Sequence, residues 1–523
     1  MTITRVKRSE LPVLRASEPA AQPRPRLAAD APRVGLVTLG CDKNTVDSER
    51  LMARLAGAGA RVIDDATAAD VVVINTCGFI DVAKEESVDA ILEAVRLKQG
   101  GRVRAVVALG CMVQRYKAEL QAELPEVDLF LGLTEAERLV PELRARGLLD
   151  AAVQVPTMEQ PLRLLSTSSR HTSHLKVSEG CDHTCAFCAI PLMRGRHRST
   201  PIDVLVREAQ ELEAAGVVEL NLISQDTTWY GRDTARGADV TGTDWFVGRP
   251  FARMAGVRDR SGTAAPPRPV EWGGRRRGLP DLLAALIDGT SIPWLRLFYM
   301  YPSGIGRELV EQVAREPRIV PYIDMPIQHG SDAVLKRMRR PERQATIRER
   351  VSWLRAAIPD VALRTTVIAG FPGETDEEFE SMLELLEEIR FDHLGAFAYS
   401  EEEDTPAARM SGQVAADVRR ERLEQVLDLQ RAISQERNEQ WLGRSVRVLI
   451  DAVTGRDADD PGAVAGARGA VARTARQAPE IDGVVHIADA RGVAPGDFVS
   501  VTITGVIEND LTAEMMGHAR NAD

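Results

Sequence analysis

All six cysteines of this 523-residue chain lie between residues 41 and 188. Three of them, Cys181, Cys185 and Cys188, fall in SEGCDHTCAFCAIPLMRGRHR (178–198) with the spacing Cys-x-x-x-Cys-x-x-Cys. Three thiolates on one short loop can converge on a soft metal centre. Four would close a structural zinc or a fully ligated cluster, whereas three leave one coordination position open to a further ligand. A zinc site or chance clustering is the alternative, but no fourth cysteine lies near the loop. The other three, Cys41, Cys77 and Cys111, stand in LGCDKN, NTCGF and LGCMVQ, separated by 36 and 34 residues. Each follows a short apolar run within a few residues. Chance placement of a small, easily buried residue would account for one such cysteine. Three of three, with glycines beside them that allow close backbone approach, indicate a second metal centre.

Parallel strands are the elements that must position these residues. Val34–Leu39, Val71–Ile74 and Val106–Leu109 are short and β-branched, as buried parallel strands are. The amphipathic stretches Ser48–Ala58, Lys84–Leu97 and Gln114–Leu124 alternate with them. Residues 34–150 therefore read as an open parallel α/β domain, in which the carboxyl ends of the strands share one edge where ligands bind. Three cysteines at three such ends can meet. Residues 151–172 are polar and serve as a linker. From 173 to 410 strands and helices alternate six times. The strands are His174–Val177, Val218–Ile223, Leu295–Met300, Tyr322–Ile327, Ala362–Ile368 and His393–Ala398. The helices include Ile202–Ala215, Leu279–Ile287, Gly306–Arg315, Glu342–Ala357 and Glu377–Ile389. This predicts a partial (βα)6 barrel with reactive groups at the carboxyl ends of its strands, where the Cys181–Cys188 loop falls.

Composition bounds the rest. The chain is 44% hydrophobic with a net charge of −11, which disfavours indiscriminate nucleic-acid binding and suits a basic partner. It shows no apolar run of membrane-span length and no secretory leader. Disulfides do not fit such a chain, so reduced cytosol is the implied compartment. Residues 1–33 read as a disordered tail. From 232 to 278 ten Arg face five acids in a Gly/Arg/Pro-rich insertion. A structureless loop longer than about 15 residues is functional or disordered, and disorder is the simpler reading beside a role in holding substrate or RNA. A charged helix bridges 411–440. Residues 441–510 then read as short strands (Val446–Ile450, Gly483–Ile487, Phe498–Ile507) of a small OB-like β-barrel. With seven Arg, nine acids and only Trp441 and Phe498 as aromatics between 441 and 508, it makes a poor RNA groove.

The Cys-x-x-x-Cys-x-x-Cys loop, with Phe187 before its last cysteine, resembles the radical S-adenosylmethionine (SAM) enzymes. That resemblance implies a four-iron four-sulfur cluster on Cys181, Cys185 and Cys188, with SAM chelating the open iron and cleaved to a 5′-deoxyadenosyl radical. It also implies SAM contacts at strand ends: Ser224 and Gln225, Gln328 and Ser331, Arg364, and Glu374 after the Gly370–Gly373 turn. For each of these a capped turn or helix-dipole role is the competing reading. LGCDKNTVDSE, INTCGFIDVAKEES and ALGCMVQRY resemble the amino-terminal domain of the methylthiotransferase branch, implying a second four-iron four-sulfur cluster on Cys41, Cys77 and Cys111. The terminal barrel resembles that branch's TRAM domain. ISQDTTWYG, LFYMYP and MPIQHGSDAVLKRMRRP resemble the enzymes that add a methylthio group to the β-carbon of an aspartate in small-subunit ribosomal protein S-twelve. The competing branch modifies a transfer-RNA adenosine. The resemblance implies a cytoplasmic monomer that needs an electron donor and a sulfur donor.

Overall fold

The computed structural model describes residues 31–150, 162–165, 170–233, 278–454 and 469–516. Residues 1–30, most of the 151–172 linker and nearly all of the 232–278 insertion lie outside the described residues.

The amino-terminal sheet contains β1 (Arg33–Thr38), β2 (Arg61–Ile63), β3 (Val71–Thr76), β4 (Ala105–Gly110) and β5 (Leu129–Gly132), in the order 2-1-3-4-5. Every pair is parallel. Helices α1 (Asp42–Gly57), α2 (Asp81–Gln99), α3 (Cys111–Glu123) and α4 (Leu139–Ala145) connect or follow the strands. β3 and β4 are buried along their whole length, which explains their unbroken Val/Ile/Ala runs. β2 and β5 have no counterpart among the strands expected from the sequence. At three and four residues they are too short to show a period. The strand order reverses between β1 and β3, and at such a switch point the loops diverge and open a crevice beyond the carboxyl ends. Cys41 and Cys77 follow those two strands.

A second sheet holds β6 (Thr172–Lys176), β9 (Glu219–Ile223), β10 (Trp294–Leu297), β11 (Ile319–Asp324), β12 (Ala362–Ala369) and β13 (His393–Ala398), neighbours in that order and all parallel. Between β6 and β9 the two-residue strands β7 (Ser178–Glu179) and β8 (Arg198–Ser199) pair antiparallel and close the base of the cysteine loop. The intervening helices are α5 (Ile190–Arg194), α6 (Ile202–Ala214), α7 (Leu279–Gly289), α8 (Arg307–Arg315), α9 (Asp332–Arg337), α10 (Gln344–Ala357) and α11 (Asp376–Ile389). All six expected strands are present, and the sheet does not close on itself. Outward-facing Leu175, Leu220, Leu222, Leu295, Leu297, Leu363 and Val367 pack beneath the helices in the largest core.

Helix α12 (Ala416–Glu439) leads to a closed five-stranded barrel of β14 (Ser445–Thr454), β15 (Gly469–Thr474), β16 (Val485–Ile487), β17 (Phe498–Ile507) and β18 (Asp510–Met515). Its core is built from Val448, Ile450, Ala472, Val485, Ile487, Val501, Ile503 and Leu511. β15 (GAVART), built largely of small residues, and β18 (DLTAEM), which alternates polar with apolar residues over only six positions, were missed in the sequence and are fixed by pairing and by the barrel core.

The three units close one interior. Inward-facing Ile223, Trp294, Val320, Tyr322 and Ala362 share a cluster with Val46 of α1 and with Leu449 and Ala478 of the terminal barrel. At the amino ends of the strands, buried Glu219 meets Arg296 and Arg473, and Tyr322 donates to Asp482. Along the β6 edge, α1 supplies Glu49 and Arg50, which pair with Arg163 and Glu208. Arg163, from the stretch read as a polar linker, is almost completely buried. The remaining side is the carboxyl-end mouth, where the Cys181–Cys188 loop follows β6 and Asp42, next to Cys41, accepts from the Tyr299 hydroxyl (3.3 Å).

Candidate metal centres and cofactor cleft

The three dispersed cysteines come together through backbone approach. A Cβ added to Gly40 would stand 2.7 Å from the Cys77 Cβ and 2.8 Å from its Sγ, and Gly40 is in the left-handed region with φ +95°. A Cβ on Gly78 would stand 2.7 Å from the Met112 Cα and 3.2 Å from the Cys111 carbonyl carbon. Only glycine lets these turns touch. Cys41 caps the amino terminus of α1 and Cys111 opens α3, so two helix dipoles favour negative charge here. The Cys77 N–H donates to Ser87 Oγ (3.0 Å). Asn44 binds all three turns: its amide donates to Leu39 O (2.8 Å) and Thr76 O (3.2 Å), and its Oδ1 lies 3.8 Å from Cys111 Sγ. Burial pushes the Cys111 thiol up to about 12 and raises Cys77 as well.

The Cys181–Cys188 loop is pinned from several directions. Cys181 N–H donates to Gly195 O (3.0 Å), Ala186 N–H to Met338 O (2.9 Å) and Ala407 N–H to Ala186 O (2.8 Å). Cys185 Sγ lies 3.3 Å from the Tyr301 hydroxyl and 3.9 Å from Arg340 Nη1. The Arg340 guanidinium covers the Tyr301 ring at 3.7 Å. His183 stacks on the other face, 4.1 Å away and 3° from parallel, contacts Trp229 and binds Asp226 (2.7 Å). Burial pushes Cys181 and Cys188 up to about 12 and raises the Tyr301 phenol, which Arg340 opposes. Tyr301 therefore stays protonated and is the donor to a Cys185 thiolate. These second-layer residues were not singled out in the sequence. Tyr301 lies in the quoted LFYMYP stretch and His183 within the cysteine loop, but only folding stacks them.

The two sets are neighbours. Ala189, next to Cys188, packs in the same apolar cluster as Cys111 and Met193. Among the described residues no three His, Cys, Asp or Glu side chains converge closely enough for a single metal ion. A mononuclear zinc site needs all ligands within one bond length of one point. A four-iron cluster offers each thiolate its own iron corner, so a thiol-only donor set fits it.

The expected SAM contacts sit in different surroundings. Phe187 packs beside the loop with Val334, Met338, Phe371 and Tyr399. Ser224 and half-buried Gln225 follow β9, and Ser224 Oγ accepts from Asp226 N–H (3.0 Å). Gln328 has φ +70°, and its backbone bridges to Thr366 O (2.9 Å) and Ile368 N–H (2.8 Å). Ser331 caps α9, and its N–H donates to His329 Nδ1 (2.9 Å). Arg364 lies early in β12 and pairs with Asp324 (3.0 Å) and Asp482 (3.4 Å), so its charge ties the sheet to the terminal barrel. Glu374 accepts from Gly370 N–H, Phe371 N–H, His329 and Arg422 at 2.8–3.2 Å, which satisfies its carboxylate within the turn.

Residues 33–132 match the uncharacterized protein family UPF0004, residues 175–386 the Radical SAM superfamily and residues 442–516 the TRAM domain. A protein of Anaeromyxobacter sp. (strain Fw109-5), described as ribosomal protein uS12 methylthiotransferase RimO, is 44% identical over 488 residues, 92% of this chain and 93% of that one. This chain belongs to the RimO family. Relatives with the same description from Symbiobacterium thermophilum (41% identical, covering 94% and 93%) and Geobacter sulfurreducens (38%, covering 92% and 98%) match over similar spans. RimO-family membership within the Radical SAM superfamily implies a four-iron four-sulfur cluster and SAM. Among the described residues no helix is long and apolar enough to cross a membrane.

Proposed function

We propose that this chain is a radical SAM methylthiotransferase that adds a methylthio group to the β-carbon of an aspartate in ribosomal protein uS12. One observation carries the reading: in a chain of the RimO family, the segment that follows Cys188 packs in the same apolar cluster as Cys111, so the elements that carry the two cysteine sets lie against each other. Cys181, Cys185 and Cys188 would hold the cluster that binds SAM; Cys41, Cys77 and Cys111 would hold a second four-iron four-sulfur cluster. When bound, these groups supply the electron, the radical precursor and the sulfur-carrying centre.

The chain's own residues do the rest. Loading the centres removes protons from buried thiols, so metal binding and deprotonation occur together. Tyr301 and Arg340 direct hydrogen-bond donors at Cys185 and fix its sulfur. Phe187, Ser224, Gln225, Gln328 and Ser331 stand around the mouth as proposed SAM contacts. Arg364 and Glu374 would act on SAM only indirectly, by holding β12 and the Gly370–Gly373 turn. The terminal barrel and α1 close the remaining sides and exclude water from the interior.

A protein partner also fits the terminal barrel. Its Arg473 is buried against Glu219 and Asp451, and half-buried Arg476 pairs with Asp392. Trp441 lies under Arg444 and Arg476, and Phe498 packs on Trp294 and Arg447. Neither aromatic is free to stack a base. Among the described residues of the barrel, exposed Glu480, Asp489, Asp497, Glu508 and Glu514 outnumber exposed Arg444, Arg447 and Arg491, a balance that suits a basic protein. We further propose a cytoplasmic monomer served by separate electron and sulfur donors.

The test is an anaerobic assay of the reconstituted enzyme with SAM, sulfide and a reductant, offering uS12 and unmodified transfer RNA in competition. A methylthio mass gain on the protein is expected. A gain on the RNA alone refutes the substrate and keeps the chemistry.

A further inference from the structure

Arg194 ends the short helix α5, six residues beyond Cys188, yet its guanidinium lies with the other cysteine set. The side chain is buried, and its Nη2 donates to Asn44 Oδ1 at 2.6 Å. That same oxygen lies 3.8 Å from Cys111 Sγ, and the Asn44 amide holds the strand ends before Cys41 and Cys77. One asparagine therefore touches all three turns of the amino-terminal centre. An arginine from the other cysteine loop fixes that asparagine.

The charges around Arg194 form a closed set. Nη1 pairs with Glu179 Oε1 (2.9 Å) and Asp47 Oδ2 (3.2 Å), and Lys176 pairs with Glu179 (2.8 Å) and with Asp47. All four side chains are buried. Two cations and two carboxylates sum to zero, so the quartet is neutral as long as every member is present. Removing one leaves a net charge in a low-dielectric site beside the thiols, where screening is weak. Arg194 is the member hydrogen-bonded to Asn44, and its charge acts on Cys77 and Cys111.

We infer that Arg194, seated on Asn44, turns the positive end of the neutral quartet toward the centre on Cys41, Cys77 and Cys111, and that it sets that centre's assembly and reduction potential. This rests on the reading that those three cysteines hold an iron–sulfur cluster. Three thiolates on a cluster carry excess negative charge, and each added electron increases it. A fixed buried cation favours both the thiolates and the reduced state. Arg194 is a positioning residue, since it acts through Asn44 and through space. The consequence is a physical link between the two sites: the segment that leaves the SAM-site loop holds the electrostatics of the second centre.

The experiment uses the full chain in a Cys181→Ala/Cys185→Ala/Cys188→Ala background, so that only the amino-terminal centre is loaded. It is reconstituted anaerobically with iron and sulfide, then titrated with reductant and followed by electron paramagnetic resonance. Arg194→Gln makes the quartet net negative and is expected to shift the potential to more negative values or to lose the centre's iron. Arg194→Lys keeps the charge and is expected to stay close to the parent. Asp47→Asn, which is isosteric, makes the quartet net positive and is expected to shift the potential the other way. Shifts of the same sign in Arg194→Gln and Asp47→Asn, no shift in either, or equal behaviour of Arg194→Gln and Arg194→Lys would overturn the inference. A parent that binds no iron would instead refute the two-cluster reading, and this inference with it.

Discussion

Glu219→Gln should separate the terminal barrel from the sheet it caps. Glu219 is the first residue of β9 and is fully buried. Its Oε1 lies 2.8 Å from the Arg296 guanidinium and its Oε2 2.6 Å from Arg473 Nη2, with Thr172 Oγ1 at 3.2 Å. Burial alone would raise its pKa, but Arg473 and Arg296 outweigh that and bring it from 4.5 to about 2. At 1.36 kcal/mol per unit the depression corresponds to about 3 kcal/mol. Breaking one member of a buried ion cluster costs about 3–5 kcal/mol, so two independent routes agree. Because the folded pKa is depressed, this stabilisation is fully present above pH 4.5 and is lost as the pH falls towards 2. The assay is hydrogen exchange of the β14 and β15 amides in wild type and variant from pH 7 down to pH 3. Opening of these strands should become easier by about 3 kcal/mol in the variant at pH 7, and the difference should shrink as the solution is acidified. A difference below about 1 kcal/mol at pH 7, the level of an exposed pair, would refute the reasoning.

The remaining predictions concern the two centres. Cys181→Ala should abolish SAM cleavage, whereas Cys77→Ala should keep it and lose methylthio transfer; chromatography of 5′-deoxyadenosine alongside mass spectrometry of uS12 separates the two. Full cleavage by Cys181→Ala would sink the assignment of the SAM site. Gly40→Ala pushes a Cβ to within 2.8 Å of Cys77 Sγ in a backbone conformation that disfavours a side chain. It should lose the iron of the amino-terminal centre while the SAM-site cluster still forms, as read by iron content and SAM cleavage. Tyr301→Phe removes the donor to Cys185 but keeps the ring between His183 and Arg340. It should slow SAM cleavage by about tenfold, roughly the loss of one hydrogen bond, with an unchanged thermal transition.

Much of this protein is determined by sequence. The six strands of the central sheet are legible because each is an apolar run separated from the next by an amphipathic helix, and that alternation leaves a parallel sheet as the way to bury both faces. Both cysteine sets are legible too, one by its local spacing and the other by its recurrence after strands. The strands β2, β5, β15 and β18 are not, because short or small-residue segments become strands only when a neighbour supplies hydrogen bonds.

Tertiary structure alone decided which partners each polar residue near the strand ends meets. Arg364 and Glu374 look alike in the chain as charged groups at or near a strand end. Folding gives Arg364 to Asp324 and Asp482, and surrounds Glu374 with four donors. Asn44 and Arg194 are 150 residues apart, and nothing local marks either. They meet because α1 lies along the β6 edge while α5 packs against α3 of the amino-terminal domain. A buried charge needs partners from every element around it, so its role is set by the packing of whole domains and cannot be read from any one stretch.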